Sequence, residues 1–261
     1  MKKSLIGILA LLFLAQAQDN LTGRQIMEKA RDAQTLSGTE YVGTLIIYDK
    51  KGNERTRKIA AASRDYPEEA VSKRIIRFLE PADVKGTAML IFDYDDRDDD
   101  MWIFMPSLRK TRRIVSSDKG KSFMGSEFSN SDMAAENMEE FTYNLLGEES
   151  FEETDCWKIE VLPVDETIAE ENGFSRKITW IGKNDFVMRH ALFYDLFEEL
   201  HKEQTNRDVR LLDPTGQKYQ AAEMIMVNVQ NGRQSIMRMD QVLFNPDVKD
   251  EYFTTRYLEK P

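Results

Sequence analysis

The chain has only one cysteine and two histidines in 261 residues, and these scarcities exclude several kinds of protein. Cys156 has no partner for an intramolecular disulfide, and it lies far from the N-terminal apolar segment, where a lipid-accepting cysteine would stand. His190 and His201 belong to no metal-binding or hydrolase motif, and no G-x-S-x-G sequence nominates a serine nucleophile. We therefore expect no metal ion, no cofactor and no enzymatic activity, with a hydrolase that uses His190 in an unrecognised site as the alternative.

Positive charge is also scarce, since 36 basic side chains stand against 46 acidic ones and the formal net charge is −10. A nucleic-acid-binding protein needs a basic surface for its phosphate contacts, so this balance excludes that class of partner.

The N-terminal sequence predicts export from the cytoplasm. Lys2 and Lys3 precede an apolar run at 5–14 and a small-x-small sequence that ends at Ala17, which together resemble a cleaved signal peptide. The run is shorter than the roughly 20 residues that span a bilayer, although an uncleaved anchor remains the alternative. Removal of residues 1–17 would leave 34 basic and 46 acidic side chains, a charge of −12. We expect a periplasmic protein.

The rest of the sequence predicts one helix followed by many short strands. Thr22 and Gln25 form a capping box for a helix through about Gln34. Alternating apolar and β-branched residues then predict a hairpin at 41–48 and 54–62. Ten further strands are predicted at 72–79, 88–94, 101–105, 110–115, 142–146, 156–164, 174–181, 186–194, 221–230 and 234–244.

This succession of strands predicts a mainly β (α+β) protein with one long, strongly curved antiparallel sheet. The helix at 22–34 and a short helix predicted at 131–140, where Met133, Ala134 and Met138 have helical spacing, would cover the concave side.

Two motifs that resemble ligand sites fail on their spacing. The acidic run at 93–100 departs from the EF-hand pattern, because Asp98 and Phe104 occupy the positions of its glycine and glutamate. We interpret it as a solvated hairpin loop. Gly120-Lys121-Ser122 lacks the earlier glycine of a phosphate-binding loop, since Val115 stands there.

The most unusual segment is 101–128, where large apolar side chains lie among glycines, serines and basic residues. Methionine is flexible and suits surfaces that hold variable apolar guests, so this segment predicts a ligand cavity or its lid. An ordinary core beneath a loop is the alternative. The candidate ligand-binding residues are Met89, Ile91, Trp102, Phe104, Met105, Phe123, Met124, Phe128, Met133 and Met138.

Arg109, Lys110, Arg112 and Arg113 form a basic patch on an otherwise acidic chain. They predict a dock for anionic lipid headgroups or an acidic partner, or else an exposed strand whose cations pair with neighbouring acids.

The sequences PADVKGTAML at 81–90, WIFMPSLRKTRRI at 102–114 and GKSFMGSEFS at 120–129 resemble the LolA-like family of outer-membrane lipoprotein-sorting proteins, in its larger branch. VLFNPDVKDEYFT at 242–254 resembles the closing segment of that family. The resemblance implies an unclosed β-barrel with helices across its mouth, formed by a single domain at 18–261.

The resemblance also implies a periplasmic carrier or chaperone that moves a lipid or lipoprotein acyl chain between membranes. An inner-membrane exporter or an outer-membrane acceptor would then be its partner, and we expect a monomer. The alternative is a non-enzymatic adaptor that docks on an exporter without carrying lipid.

Overall fold

A computed structural model describes residues 21–94 and 96–260. The expected signal peptide at 1–17 lies outside the described residues. No helix within the described ranges is long and apolar enough to cross a membrane. The helices are α1 (Gly23–Gln34), α2 (Glu166–Asn172) and α3 (Thr255–Leu258). The strands are β1 (Gly38–Tyr48), β2 (Glu54–Tyr66), β3 (Val71–Glu80), β4 (Ala88–Tyr94), β5 (Asp100–Met105), β6 (Lys110–Ile114), β7 (Phe141–Phe151), β8 (Thr154–Pro163), β9 (Arg176–Gly182), β10 (Met188–Tyr194), β11 (Leu200–Asp213), β12 (Lys218–Asn228) and β13 (Gln234–Phe244).

The thirteen strands within residues 21–94 and 96–260 belong to one antiparallel sheet with the order β6-β5-β4-β3-β2-β1-β13-β12-β11-β10-β9-β8-β7. Every neighbouring pair is consecutive in the chain except β1 and β13, which join the two halves. The edge strands β6 and β7 are not paired with each other, so the sheet is not closed into a barrel. The predicted mainly β fold with an unclosed antiparallel sheet is confirmed.

The sheet is strongly curved. Side chains from every strand except β6 and β8 line one cavity. Neighbouring strands lie about 4.8 Å apart, so thirteen flat strands would be roughly 58 Å wide and could not surround a single cavity. The sheet therefore forms a trough, and the cavity lies on its concave side.

The segment 115–140, here called the bridging segment, connects the edge strands β6 and β7 across the open side of the trough. Its first part makes a tight turn in which the Phe123 N–H donates to the Phe128 carbonyl at 2.8 Å. Phe123 and Phe128 are both buried in a core with side chains of β1–β5, β12 and β13. Phe123 packs on Phe78 with 5.8 Å between ring centroids. The bridging segment thus fills part of the trough.

Strands β3 and β4 are buried on both faces. Met89 and Ile91 face the core beneath the bridging segment, whereas Leu90 faces the convex side. The C-terminal residues Phe253 and Leu258 cover that convex side. Alternate residues of one strand therefore belong to two different cores, as the period of two requires.

Helix α1 confirms the predicted capping box. The Thr22 hydroxyl accepts from the Gln25 N–H at 3.2 Å, and the Gln25 side chain accepts from the Thr22 N–H at 2.9 Å. Ile26 and Ala30 of α1 pack into a core with residues of β7, β8 and β9. A Cβ on Gly23 would lie 2.6 Å from the Tyr143 carbonyl oxygen, so only glycine permits this close approach of α1 to β7.

The predicted helix at 131–140 is wrong. The structure has two 3₁₀ turns instead, Ser131–Met133 and Met138–Glu140. Side chains of the sheet form hydrogen bonds with the backbone of this segment. Arg74 donates to the Met133 carbonyl at 2.6 Å, and Asp93 accepts from the Ala135 N–H at 3.1 Å. Those tertiary hydrogen bonds replace the i to i+4 bonds of an α-helix.

The interpretation of 93–100 as a solvated loop is wrong in part. β4 and β5 do form the expected hairpin. Asp93, however, is only 6% exposed and Asp99 is partly buried, and both line the cavity. Asp93 lies two and four residues after Ile91 and Met89 on one strand, so its side chain faces inward with theirs.

Strand β11 and helix α2 were not predicted. β11 has polar residues at its inward positions, among them the buried Gln204 and Asn206, so it shows no apolar alternation. α2 is a short helix with an Asp165 side-chain cap and no buried residue. Its sequence therefore has no apolar face from which a helix could be predicted.

Candidate functional site

The candidate site is the cavity on the concave side of the trough, with a volume of about 450 Å³. This volume falls within the range of about 300–1,000 Å³ of small-molecule sites. Eight of the thirteen methionines of the chain line it. Met27, Met101, Met133 and Met138 come from α1, β5 and the bridging segment, and Met188, Met224, Met237 and Met239 come from β10, β12 and β13. Much of its wall is therefore apolar and adaptable.

The other part of the wall is charged, and it lies where the β4–β5 hairpin meets the bridging segment. Asp93 Oδ1 accepts from the Ala135 N–H, whereas Asp93 Oδ2 is buried without a hydrogen-bond partner. Asp99 accepts from the Tyr94 N–H at 3.2 Å. The buried Lys119 ammonium lies 4.0 Å from Glu140 Oε1, beyond hydrogen-bond distance.

Burial dominates the protonation of these acids. It raises the pKa of Asp93 to about 6, although the charges of Arg74, Arg31 and Lys119 act in the opposite direction. Burial and the charge of Asp93 raise the pKa of Asp99 to about 7. The pKa of Glu140 is also raised, again chiefly by burial. At this wall, removal from water outweighs the neighbouring cations.

Helix α1 and the 131–140 part of the bridging segment form the outer wall of the cavity. Side chains from both halves of the sheet hold 131–140. Arg74 and Asp93 bind its backbone from β3 and β4. From the other half, Lys177 pairs with Glu136, and the Tyr143 hydroxyl donates to Glu136 at 3.0 Å. Arg24 of α1 also donates to the Met138 carbonyl at 3.5 Å and pairs with Glu139, so polar contacts from α1 and from both halves of the sheet hold this part of the bridging segment.

The structure separates the candidate ligand-binding residues into three groups. Phe128, Met133 and Met138 line the cavity. Met89, Ile91 and Phe123 are fully buried in the adjoining core, and Met124 packs against it. Trp102 and Phe104 pack on the convex side with the C-terminal segment, and Met105 is partly buried.

The candidate docking residues Arg109, Lys110, Arg112 and Arg113 are all exposed on or beside the edge strand β6. Arg112 lies 3.5 Å from Asp118, and Arg113 pairs with Asp100. Their side chains are 61% and 57% exposed, so water screens both ion pairs.

His190 and Cys156 are packed side chains. The His190 ring stacks on Phe151 with 4.5 Å between centroids and lies 5.0 Å from Trp180, and burial lowers its pKa. The Cys156 thiol is buried, which raises its pKa, and it contacts the Thr154 carbonyl at 3.4 Å.

Sequence reasoning missed the methionines of β12 and β13 and the inward carboxyl groups. Met237 and Met239 are two residues apart on one strand, and Met224 is the cross-strand partner of Met237. That spacing is a signal for one shared face.

Comparisons with known proteins agree with this architecture. A family model described as "uncharacterized protein" matches residues 70–260. No curated protein matches the chain. A domain from Vibrio parahaemolyticus described as an outer membrane lipoprotein-sorting protein is 25% identical, with 91% of this chain and 98% of that chain covered and a TM-score of 0.83.

Two further solved structures share the fold. A DUF1329 family protein from Desulfovibrio piger is 26% identical, with 90% of this chain and 97% of that chain covered and a TM-score of 0.83. A LolA superfamily protein from Nitrosomonas europaea is 21% identical, with 91% and 99% covered and a TM-score of 0.68. The chain belongs to the family of the matching model, and it shares its fold with outer membrane lipoprotein-sorting and LolA superfamily proteins.

Proposed function

We propose that this protein is a periplasmic carrier that binds the acyl chain of a lipid, lipoprotein or similar amphiphile in the concave cavity and moves it between membranes. The observation that carries the proposal is the cavity wall of eight methionines on the concave side of the trough. The fold of lipoprotein-sorting proteins supports the same function. A lipid or lipoprotein would be its cargo, and the protein would act as a monomer without covalent chemistry.

The physical reason for such a cavity is the cost of exposing an acyl chain to water. Each buried methylene contributes about 0.8 kcal/mol, so four more methylenes are worth about 3 kcal/mol, or about 200-fold in affinity. We therefore expect affinity to rise steeply with chain length until the cavity is full.

Displacement of a fluorescent apolar probe by n-alkanols of 8, 10 and 12 carbons tests this expectation with an uncharged headgroup. Met224→Trp should reduce binding, because the larger side chain would occupy the cavity. Glu223→Trp is the matched control, since Glu223 lies on the opposite face of the same strand and does not line the cavity. Native mass spectrometry of protein from its own periplasm should also reveal a co-purified amphiphile. Protein that is purified without a ligand and binds none of the alkanols would refute the carrier function.

A second candidate function is an adaptor that docks on an inner-membrane exporter or an outer-membrane acceptor through β6. The observation that favours it is the exposure of four basic side chains at an edge strand of an acidic protein. Arg112→Glu with Arg113→Glu separates the two functions. Loss of partner capture with unchanged alkanol binding would favour the adaptor, and unchanged capture would exclude it.

A further inference from the structure

The charged wall of the cavity is unusual for a site that holds only hydrocarbon. Asp93 is only 6% exposed, and its Oδ2 atom has no hydrogen-bond partner. A buried carboxylate oxygen without a partner costs free energy that an apolar side chain at the same position would not. Because Asp93 also lines the cavity, a group of the ligand could supply the missing donor.

Among the described residues, no neighbour of Asp93 donates a hydrogen bond to its Oδ2 atom. Arg74 of β3 donates to the Met133 carbonyl, and Lys119 of the bridging segment lies beside Glu140. Arg31 of α1 also faces this wall. Asp99, from the β4–β5 hairpin, adds a second carboxyl whose interaction with Asp93 is repulsive.

We propose that Asp93 and Asp99 recognise the headgroup of the bound amphiphile and that this headgroup carries a primary ammonium. The inference rests on the proposed carrier function and extends it to the class of cargo. An ammonium supplies up to three donors and one positive charge. It would satisfy Asp93 Oδ2 and relieve the repulsion between the two carboxyl groups. The acyl chain would then lie along the methionines.

The electrostatics of the wall favour this ligand. Burial raises the pKa of Asp93, Asp99 and Glu140, and each of these carboxyl groups would be stabilised in its charged form by an added cation. Binding of an ammonium should therefore release protons near neutral pH. The cations Arg31, Arg74 and Lys119 would repel a further positive charge, so the attraction of Asp93, Asp99 and Glu140 has to exceed that repulsion.

The test compares three amphiphiles that share a ten-carbon chain, namely decylamine, 1-decanol and decanoate, by displacement of the same apolar probe at pH 8. We expect decylamine to bind about 10-fold more tightly than 1-decanol, because its ammonium adds an ion pair to the hydrogen bond that a hydroxyl could also donate to the carboxylate. Decanoate should bind more weakly than either. The preference for decylamine should decrease between pH 8 and pH 5, as Asp93 and Asp99 take up protons.

Asp93→Asn should reduce the preference for decylamine to within about 2-fold of 1-decanol, since the neutral amide lacks the negative charge that attracts the ammonium. Asp99→Asn should reduce it in part. Asp96→Asn is the matched control, because Asp96 belongs to the same β4–β5 hairpin but is exposed and does not line the cavity. This control should retain the full preference.

The outcomes separate the two proposals. Equal binding of all three amphiphiles by the natural protein, or an unchanged preference in Asp93→Asn, would overturn the ammonium site and leave the carrier intact. Tighter binding of decanoate would assign the headgroup to the basic side chains and also overturn it. Failure of all three to bind would refute the carrier itself.

Discussion

Asp93→Asn should increase the free energy of unfolding at pH 8. The carboxyl has an ordinary pKa of 3.8 and a folded-state pKa of about 6, chiefly because it is buried. A raised folded-state pKa means that the folded protein binds the proton more tightly than the unfolded chain. The associated stabilisation is present below pH 3.8 and is lost as the pH rises through 6, so the ionised Asp93 destabilises the folded state at pH 8.

The difference between 3.8 and about 6 corresponds to about 3 kcal/mol at pH 8. The substituted amide retains an oxygen for the Ala135 N–H but places an unpartnered NH₂ group where Oδ2 was. A net gain of about 1–2 kcal/mol therefore remains. At pH 4.5 the folded carboxyl is already protonated, and linkage reduces the gain by about 2 kcal/mol, so that it is abolished.

Urea unfolding at pH 4.5, 6 and 8 measures this dependence. Asp240→Asn provides a contrast, because Asp240 accepts from Thr44, Lys58 and Arg238. Although burial raises the pKa of Asp240, these hydrogen bonds lower it well below its usual range. Its stabilisation is lost only as the pH falls below about 4, so Asp240→Asn should destabilise almost equally at pH 4.5 and 8. If Asp93→Asn instead destabilises equally at both pH values, burial does not control Asp93 and the reasoning is refuted.

Three further variants test the fold. Phe123→Ala should lower the free energy of unfolding by about 3–5 kcal/mol in urea, because the ring is fully buried against Phe78; a loss below 1 kcal/mol would contradict its place in the core. Gly23→Val should detach α1, since its Cβ would meet the Tyr143 carbonyl oxygen at 2.6 Å, and hydrogen exchange should show loss of protection in α1 while the sheet keeps its own. Arg112→Glu with Arg113→Glu should change stability by less than about 1 kcal/mol, because both pairs are exposed; a larger loss in urea would show that these pairs support the fold.

The regular part of the fold was readable from local pattern. The alternation in β8 and the capping box at Thr22 each depend on a few neighbouring residues, and both predictions hold. β11 escaped prediction because its inward residues, such as Gln204, are polar where strand recognition expects apolar ones. The prediction of a helix at 131–140 was wrong because Arg74 and Asp93, which are distant in sequence, form hydrogen bonds with the backbone of this segment.

The site was less predictable than the fold for a related reason. Composition indicated a role for methionine, but it did not show which methionines face the cavity. Phe123 and Phe128 occur five residues apart in one turn, yet only Phe128 lines the cavity. Asp93 belongs to an acidic run that resembles a solvated loop, and its burial depends on the bridging segment packed against it. Such partners are set by tertiary packing.

The pairing of β1 with β13 has a consequence for how the molecule assembles. The other strand pairs are consecutive in the chain, so each half of the sheet can form through contacts between residues that are close in sequence. The seam between the halves joins residues such as Thr44 and Asp240, which are 196 positions apart, and closing so long a loop is slow and entropically costly. We therefore expect the two half-sheets to form before they pair with each other. The Thr44, Lys58 and Asp240 cluster at the seam would then contribute to the stability of the β1–β13 pairing.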